Sequence, residues 1–361
     1  MILSQPPPSP VNPQKTRLSP AFSPFPALRQ ELTCNRGFSL DAASLISSSV
    51  RESSAKNYDY LIRVYVTWCQ DQPSPVDPYS CSVSSVCNFL AWVHKTRNLS
   101  QSTMGLYRSA ISKIHRGFKG LPIGQTLEVS NLIKGVDNTN PSKHSRQAKN
   151  EVTWQVSKVL DFLATLHPPE SLSLQDLSHK TLTLVALSSV SRASTLKSMS
   201  RHWDRAANAS ESGENQFRVF FLPDHREKVD SGRRSIFIPP LPQGEEDHLA
   251  LDPVTYLLAY MEKTNPLLPT SSSPPTTPLW VKSIKPFTAV SSVTLANWLT
   301  TMLKRSGINT SLFKAHSTRA ASSSFHAKNL SLAQILTRGG WAISPNQTSN
   351  TFSRFYNKFA V

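Results

Sequence analysis

The chain has 361 residues, enough for two domains, and a formal net charge of +16. Such a charge favours a polyanionic partner, of which nucleic acid is the commonest, although charge alone also fits a basic protein without a specific partner. No apolar run reaches the ~18 residues that a transmembrane helix needs. The first residues also lack the charged and apolar regions of a signal peptide, so we expect no membrane partner.

The four cysteines lie in the first quarter of the chain, and no two of them form a C-x-x-C motif. They are Cys34, Cys69, Cys81 and Cys87. A zinc site needs closer ligand spacing than this. So few cysteines in a long chain are typical of a reducing compartment. We therefore expect free, mostly buried thiols, with no disulfide, no structural metal and no cofactor.

The N-terminal part of the chain divides by composition. Residues 1–40 are rich in Pro and Ser, which predicts a disordered arm because such a segment buries too little apolar surface. Residues 41–140 carry apolar side chains at helical spacing and predict a helical domain. Residues 141–150 are polar and basic without periodicity, as in an interdomain linker.

One predicted helix of this domain, from Ser102 to Phe118, has a basic outer face. Such a face is either solvated or in contact with DNA. The candidate DNA-binding residues are Arg108, Lys113, Arg116 and Lys119.

Residues 151–361 predict a second domain that mixes helices with a few strands. A nearly continuous apolar run at 182–187 predicts a buried segment, and the runs at 217–222 and 235–238 predict two strands joined by a loop or hairpin turn. Three helices are predicted near the C-terminus, at 293–304, 315–328 and 331–338, the last of which ends at Gly339-Gly340. The predicted fold class is mainly α with a small β-sheet.

A His-x-x-Arg motif at His316 and Arg319 could carry chemistry. The motif alone is weak, because His94-x-x-Arg97 and His202-x-x-Arg205 also occur. Residues 320–324, however, are all Ala or Ser, which allows this helix to pack closely against its domain. His and Arg at i and i+3 share one helix face and can reach one phosphate. The alternative is a surface helix whose Arg caps it or forms a salt bridge.

Two further residues fit phosphate chemistry. Arg192 follows the buried run with no acidic residue nearby in sequence, so its charge is paired at a distance or awaits an anion. Tyr356 belongs to a helical stripe with Phe352, Phe355 and Phe359, which is typical of a core aromatic. A tyrosine hydroxyl can also attack phosphorus when a base and cations are close.

The ordered set of these residues resembles the signature of the tyrosine recombinase (phage integrase) family. The set comprises Arg192, Lys228 in the predicted hairpin, His316, Arg319, Trp341 and Tyr356. The segments 315–324, 339–341 and 351–356 are especially similar to recombinases of DIRS-type retrotransposons. The likeness covers about residues 45–361. It implies an N-terminal helical core-binding (SAM-like) domain followed by a mixed α/β catalytic domain.

The resemblance also implies roles. Tyr356 is the nucleophile that forms a 3′-phosphotyrosine with DNA, and His316 handles the tyrosine proton. Arg192 and Arg319 clamp the scissile phosphate. No metal or other cofactor is needed, since side chains supply the cations. The implied partner is double-stranded DNA, bound by a homotetramer that synapses two duplexes. The expected location is the nucleus.

Two more roles complete the implied site. Lys228 protonates the leaving 5′ oxygen, although Arg226, Arg233 and Arg234 share its loop, so the identity of the general acid stays open. Trp341 packs against the phosphate.

The chain departs from the family pattern in two places. Thr195 stands where family members usually carry an acidic residue, and residues 344–350 are inserted before Tyr356. The sequence therefore predicts a site-specific recombinase or integrase of a mobile element. A catalytically inactive, recombinase-derived DNA-binding protein is the alternative. A type IB topoisomerase, which relaxes supercoils without synapsis, shares the chemistry.

Overall fold

A computed structural model describes residues 23–50, 52–139, 152–207, 215–225, 234–241, 249–341 and 359–360. The chain divides into two compact units, Met1–Lys143 and His144–Val361. The division lies inside the predicted linker 141–150. Each unit has its own hydrophobic core.

The described part of the first unit is helical. Its elements are α1 (Pro24–Cys34), α2 (Leu40–Ser47), α3 (Glu52–Gln70), α4 (Val83–Arg97), α5 (Gln101–Ile114), a 3₁₀ turn (Ile123–Gln125) and α6 (Leu127–Thr139). Serine side chains begin three of them: Ser39, Ser82 and Ser100 each accept a backbone N–H from the first turn of α2, α4 and α5. Such caps satisfy donors that have no partner within the helix.

Helix α1 corrects one prediction. The arm 1–40 was expected to be disordered, and this is wrong for Pro24–Cys34. Leu28 and Leu32, one turn apart, are buried in the core of the first unit. Pro24 occupies the first helical position, where the missing N–H removes no hydrogen bond. The high Pro and Ser content of residues 1–40 indicated disorder, and the two leucines were too few to predict a helix there. Residues 1–22 lie outside the described part of the chain.

The described part of the second unit contains helices and two small sheets. Its elements are β1 (Val152–Thr153), α7 (Val156–Ala164), a 3₁₀ turn (Pro169–Ser171), α8 (Leu174–Ser189), α9 (Ala193–Lys197), β2 (Met199–Ala207), β3 (Asn215–Phe221), β4 (Ser235–Ile238), α10 (Pro253–Thr264), a 3₁₀ turn (Asn265–Leu267), α11 (Ser292–Arg305), α12 (Ser317–His326), α13 (Leu332–Gly339) and β5 (Phe359–Ala360).

Helix α8 forms the centre of the second unit. Every residue from Leu177 to Ser189 is buried, because α10, α11 and α12 all pack against α8. This explains the apolar run at 182–187. Two of its hydroxyls bond to the helix's own backbone: Thr183 donates to the His179 carbonyl, and Ser189 donates to the Val185 carbonyl. Thr181 instead donates to the Tyr256 carbonyl of α10 at 3.2 Å.

The larger sheet is antiparallel, with strand order β2-β3-β4. Strands β3 and β4 pair from Phe217 opposite Ile238 to Phe220 opposite Ser235, as predicted for neighbours along the chain. Strand β2 was not predicted, because its residues include charged side chains and its register shifts between Met199 and Trp203. The expected fold class, mainly α with a small sheet, is confirmed.

No helix in the described ranges combines the length and apolar character needed to cross a membrane.

Candidate active site

Small side chains bring α12 close to α8. Ser322 of α12 is fully buried and donates a hydrogen bond to the Leu187 carbonyl near the end of α8. His326 Nε2 lies 3.0 Å from the same carbonyl oxygen. Ala321 and Ser323 are also buried. Since this face of α12 carries no larger aliphatic side chain, the two helices approach closely, as the run at 320–324 predicts.

Arg319 joins three segments that are distant in sequence. The residue is 2% exposed. Its Nη1 donates to the Val190 carbonyl at 3.1 Å, and its Nη2 donates to the Gly339 carbonyl at 2.8 Å. Val190 ends α8 in the left-handed region with φ 54°, which turns the chain towards Arg192. The guanidinium therefore fixes the end of α8 against the end of α13.

Trp341 completes this arrangement. The Arg319 Cζ atom lies 3.7 Å from the centre of the Trp341 ring, within the range of a cation–π contact. Gly340 ends α13 with φ 63°, and a Cβ on Gly339 would lie 1.9 Å from Cζ3 of the indole. The Gly-Gly-Trp motif thus has two requirements: Gly340 makes the turn, and Gly339 leaves room for the ring.

A small apolar cluster surrounds these contacts, separate from the main core. Its buried members are Val190, Ala320, Ile335, Leu336 and Trp341. The segments 190–192, 316–319 and 339–341 therefore converge in the second unit. Three of the predicted site segments are brought together by packing that the sequence does not show.

Arg192 differs from Arg319 in its environment. It is half-buried and occupies the N-cap position of α9. Within the ranges that the structure describes, its guanidinium has no hydrogen bond or ion pair. Thr195, one turn further on, is buried and supplies no carboxylate to hold it. No described residue therefore balances the charge of Arg192.

His316 is exposed and immediately precedes α12. The next residue, Ser317, accepts a hydrogen bond from Trp154 Nε1 at 2.9 Å. Trp154 follows β1, which pairs in parallel with β5, Val152 opposite Phe359 and Thr153 opposite Ala360. The backbone of β5 therefore lies next to the strand that is anchored at the start of α12.

Two predicted site residues, Lys228 and Tyr356, lie outside the described residues, and their roles stay predictions. Among the residues that are described, no group of three or more His, Cys, Asp or Glu side chains is arranged to hold a metal ion.

The basic residues predicted to share one helix face are only partly available. α5 ends at Ile114, short of the predicted end at Phe118, so Arg116 and Lys119 follow the helix. Arg116 donates from Nε and Nη2 to Glu31 Oε1 of α1, at 3.0 and 2.5 Å, and Glu31 is 5% exposed. Hydrogen bonding to this carboxylate raises the pKa of Arg116. Arg116 thus neutralises a buried acid. Lys113 and Lys119 are exposed, and Arg108 is half-buried.

Sequence reasoning missed part of the site. It assigned Gly339 only the role of a helix stop, and it gave Val190 no role. A glycine two residues before a tryptophan is a weak signal for ring packing. The carbonyls of Val190 and Gly339 give no signal, because any residue carries such a group.

No protein-family model matches the chain, and no curated protein matches it either. The similarity to recombinases of DIRS-type retrotransposons stays a prediction.

Solved structures do match. The XerH site-specific recombinase bound to difH substrate, a pre-cleavage complex, is 12% identical, with 94% of this chain and 96% of that chain covered and a TM-score of 0.53. The post-cleavage complex of XerH with palindromic difH substrate is 12% identical, with 94% of each chain covered and a TM-score of 0.51. A lambda integrase dimer bound to a COC' core site is 15% identical, with 92% of this chain and 85% of that chain covered and a TM-score of 0.48. The chain has the fold of the tyrosine recombinases.

Proposed function

We propose that this protein is a site-specific DNA recombinase that cuts and rejoins DNA strands through a 3′-phosphotyrosine. One observation carries the proposal. Arg192, without a partner in the described part of the chain, lies two residues from Val190, whose carbonyl is held by the buried Arg319. Exposed His316 immediately precedes α12, three residues before Arg319. Two cations and a histidine on converging segments suit an anionic phosphodiester.

The two arginines have different roles in this mechanism. Arg192 binds the non-bridging oxygens directly, because its donors are available. Both Nη groups of Arg319 donate hydrogen bonds to backbone carbonyls, so Arg319 acts mainly by holding Trp341 and the end of α8 in place. Its buried charge adds a positive potential where negative charge grows in the transition state. His316 accepts the proton of the attacking tyrosine.

Tyr356 is the proposed nucleophile. Three peptide units join it to Phe359, and such a segment reaches at most about 11 Å. Phe359 pairs with β1, which leads through Trp154 to Ser317, the neighbour of His316. This proximity supports the assignment. Lys228, in the connection between β3 and β4, is the proposed general acid for the leaving 5′ oxygen.

Double-stranded DNA is the proposed partner, and the net charge of +16 supports it. Integration or excision of a mobile element, synapsis by a homotetramer and a nuclear location complete the proposal. They rest on the sequence resemblance.

Covalent capture tests the activity. The protein is incubated in EDTA with duplexes that share a nick but have randomised flanking sequence, so that the fragment released by cleavage diffuses away. We expect SDS-resistant adducts to form in EDTA, because side chains supply the positive charge that metal ions supply in a two-metal nuclease. The captured duplexes should be enriched in one sequence. Adducts that form only with Mg²⁺ would contradict the mechanism.

A catalytically inactive DNA-binding protein is the second candidate. It is favoured by Thr195 in place of an acid and by the two carbonyl contacts that occupy Arg319. It predicts sequence-selective retention of duplexes without any adduct, in EDTA or in Mg²⁺.

A further inference from the structure

A cluster of thiol, hydroxyl and imidazole groups lies in the first unit, apart from the candidate active site. Cys69 is fully buried on α3, and Cys81 is half-buried just before α4. Tyr65 Oη lies 3.0 Å from Cys81 Sγ, and His115 Nε2 lies 4.0 Å from it. The Cys69 and Cys81 thiols are near enough for each to shift the pKa of the other. The Cys81 sulfur thus lies among groups that can donate a hydrogen bond, although the Tyr65 hydroxyl also lies 3.3 Å from the Pro78 carbonyl oxygen.

The tautomer of His115 follows from its contacts. The Gly117 N–H donates to His115 Nδ1 at 3.0 Å, so Nδ1 carries the lone pair. Nε2 therefore carries the proton, and it donates to the Cys81 carbonyl oxygen at 2.9 Å. The same His115 Nε2 atom lies 4.0 Å from the Cys81 sulfur. His115 Nε2 is thus a hydrogen-bond donor next to Cys81.

These donors stabilise a negative sulfur. Hydrogen bonding from Cys69, reinforced by His115 and Tyr65 and opposed by burial, lowers the pKa of Cys81 to about 5. Hydrogen bonding to Cys81, together with burial, raises the pKa of Cys69, so Cys69 keeps its proton and donates it. Asp77 is the other ionisable group that faces the cluster. Glu31 and Arg116 nearby neutralise each other.

We propose that Cys81 is a peroxide-modified site and that Cys69 resolves the product to a disulfide. The Cys81 thiolate attacks one peroxide oxygen, so that an S–O bond forms, the O–O bond breaks and hydroxide leaves. The Cys69 sulfur then attacks the sulfenic sulfur. An S–S bond forms, the S–O bond breaks, and water leaves with the Cys69 proton. Two thiols are oxidised and one peroxide is reduced to two waters.

The position of the cluster connects it to a predicted DNA-binding residue. The loop before Cys81 is tied to the end of α5, since the Arg116 N–H donates to the Tyr79 carbonyl at 2.7 Å. Oxidation of Cys81 would therefore act next to Arg116. The proposal does not depend on recombinase activity.

Alkylation of the intact protein by iodoacetamide, mapped by mass spectrometry, is the first test. The exposed Cys34 is the internal reference. A thiol with a pKa near 5 is already mostly ionised at pH 6, whereas ionisation of ordinary thiols still rises steeply up to about pH 8.5. We expect the Cys81-to-Cys34 rate ratio to fall at least ~10-fold from pH 6 to pH 9. A constant or rising ratio would overturn the proposal.

Tyr65→Phe keeps the buried ring and removes one donor, so it should reduce the ratio at pH 6 while the helical circular dichroism stays unchanged. An unchanged ratio in this variant would exclude donor stabilisation of the thiolate.

Hydrogen peroxide provides the second test. Wild-type protein should give a Cys69–Cys81 peptide pair that dithiothreitol separates. Cys69→Ser keeps a donor but cannot resolve the product, so it should give a sulfenic acid at Cys81 that dimedone traps. Oxidation that begins at Cys34 or Cys87, or no product at Cys81, would contradict the assignment.

Discussion

At the scale of single residues, Arg192 and Arg319 differ in what holds them. Arg319 is enclosed by the Val190 and Gly339 carbonyls and by the Trp341 ring. Arg192 is half-buried, with no hydrogen bond or ion pair to a described residue. Substitution of Arg192 should therefore affect the reaction with DNA, whereas substitution of Arg319 should also lower the stability of the fold.

Arg192→Ala should reduce adduct formation by ~10²- to 10³-fold, the typical effect of losing one charge-stabilising contact. Its Tm should remain near that of the wild type, because surface changes usually alter stability by less than about 0.5 kcal/mol. Arg319→Ala is the contrast. It leaves two buried carbonyls without donors, at about 1–3 kcal/mol each, so its Tm should fall. Equal losses of Tm in both variants would contradict the division of roles.

The Gly-Gly-Trp motif allows a second prediction. Gly339→Ala places a methyl group against the Trp341 ring and should destabilise the protein by roughly 1–3 kcal/mol through overpacking. If the ring is the cause, Trp341→Ala should absorb much of that effect, so the two changes combine non-additively in a double-mutant cycle. Gly340→Ala is the control. Its strain arises from the left-handed backbone, so it should add independently to Trp341→Ala.

At the scale of elements, regular patterns predicted structure well. The apolar run at 182–187 is the buried centre of α8, and the runs at 217–222 and 235–238 are paired strands. The failures occur where tertiary contacts override composition. α1 folds inside a Pro/Ser-rich segment because Leu28 and Leu32 reach the core. β2 contains Arg201, whose two Nη groups donate to α10 and to the turn that follows it, including Thr264 Oγ1 at 2.6 Å.

Helix α8 carries a buried lysine with a consequence for pH dependence. Lys180 is fully buried, its Nζ donates to the Leu166 carbonyl at 2.6 Å, and it lies 3.7 Å from the centre of the Tyr256 ring. Burial lowers the pKa of Lys180 to about 7. In the unfolded chain, lysine titrates near 10.4. The unfolded state therefore binds more protons between these two values, and the stability from this group is lost as pH falls through the window.

Urea unfolding at pH 7, 8 and 9 measures this effect. The wild-type free energy of unfolding should rise with pH by up to about 1.4 kcal/mol per unit more than in Lys180→Met. Lys263→Met on α10 is the matched control, and it should keep the wild-type slope. If the three proteins share one slope, Lys180 is not the titrating group.

At the scale of the whole molecule, the order of the predicted site residues along the chain was readable from the sequence. The contacts by which three of their segments converge were not. Arg319 donates hydrogen bonds to the backbone carbonyls of Val190 and Gly339. Every residue has such a carbonyl, so the sequence does not indicate which ones act as acceptors. The pairing of Arg116 with Glu31, 85 residues apart, could not be read from the sequence either, and its contact with DNA stays a prediction.

Binding to duplex DNA should depend steeply on salt, with a slope of log K against log salt of ~0.9 per phosphate neutralised. Lys113→Gln should reduce that slope by about one contact without lowering Tm, because Lys113 is exposed on α5. Lys134→Gln is the control, because Lys134 is an exposed residue of α6. It should leave the slope unchanged if DNA binds only at the predicted face that includes Lys113. A flat salt response in the wild type would remove duplex DNA as the main partner.

The central claim concerns the hydroxyl of Tyr356. Tyr356→Phe removes one oxygen and keeps the ring, so duplex affinity and Tm should stay at wild-type values. On the nicked duplexes selected by the wild-type protein, we expect SDS-resistant adducts to vanish in this variant, because the proposed nucleophile is missing. Peptide mapping of the wild-type adduct should find the nucleotide on Tyr356. Adducts that persist in Tyr356→Phe, or that map to another residue, would contradict the account.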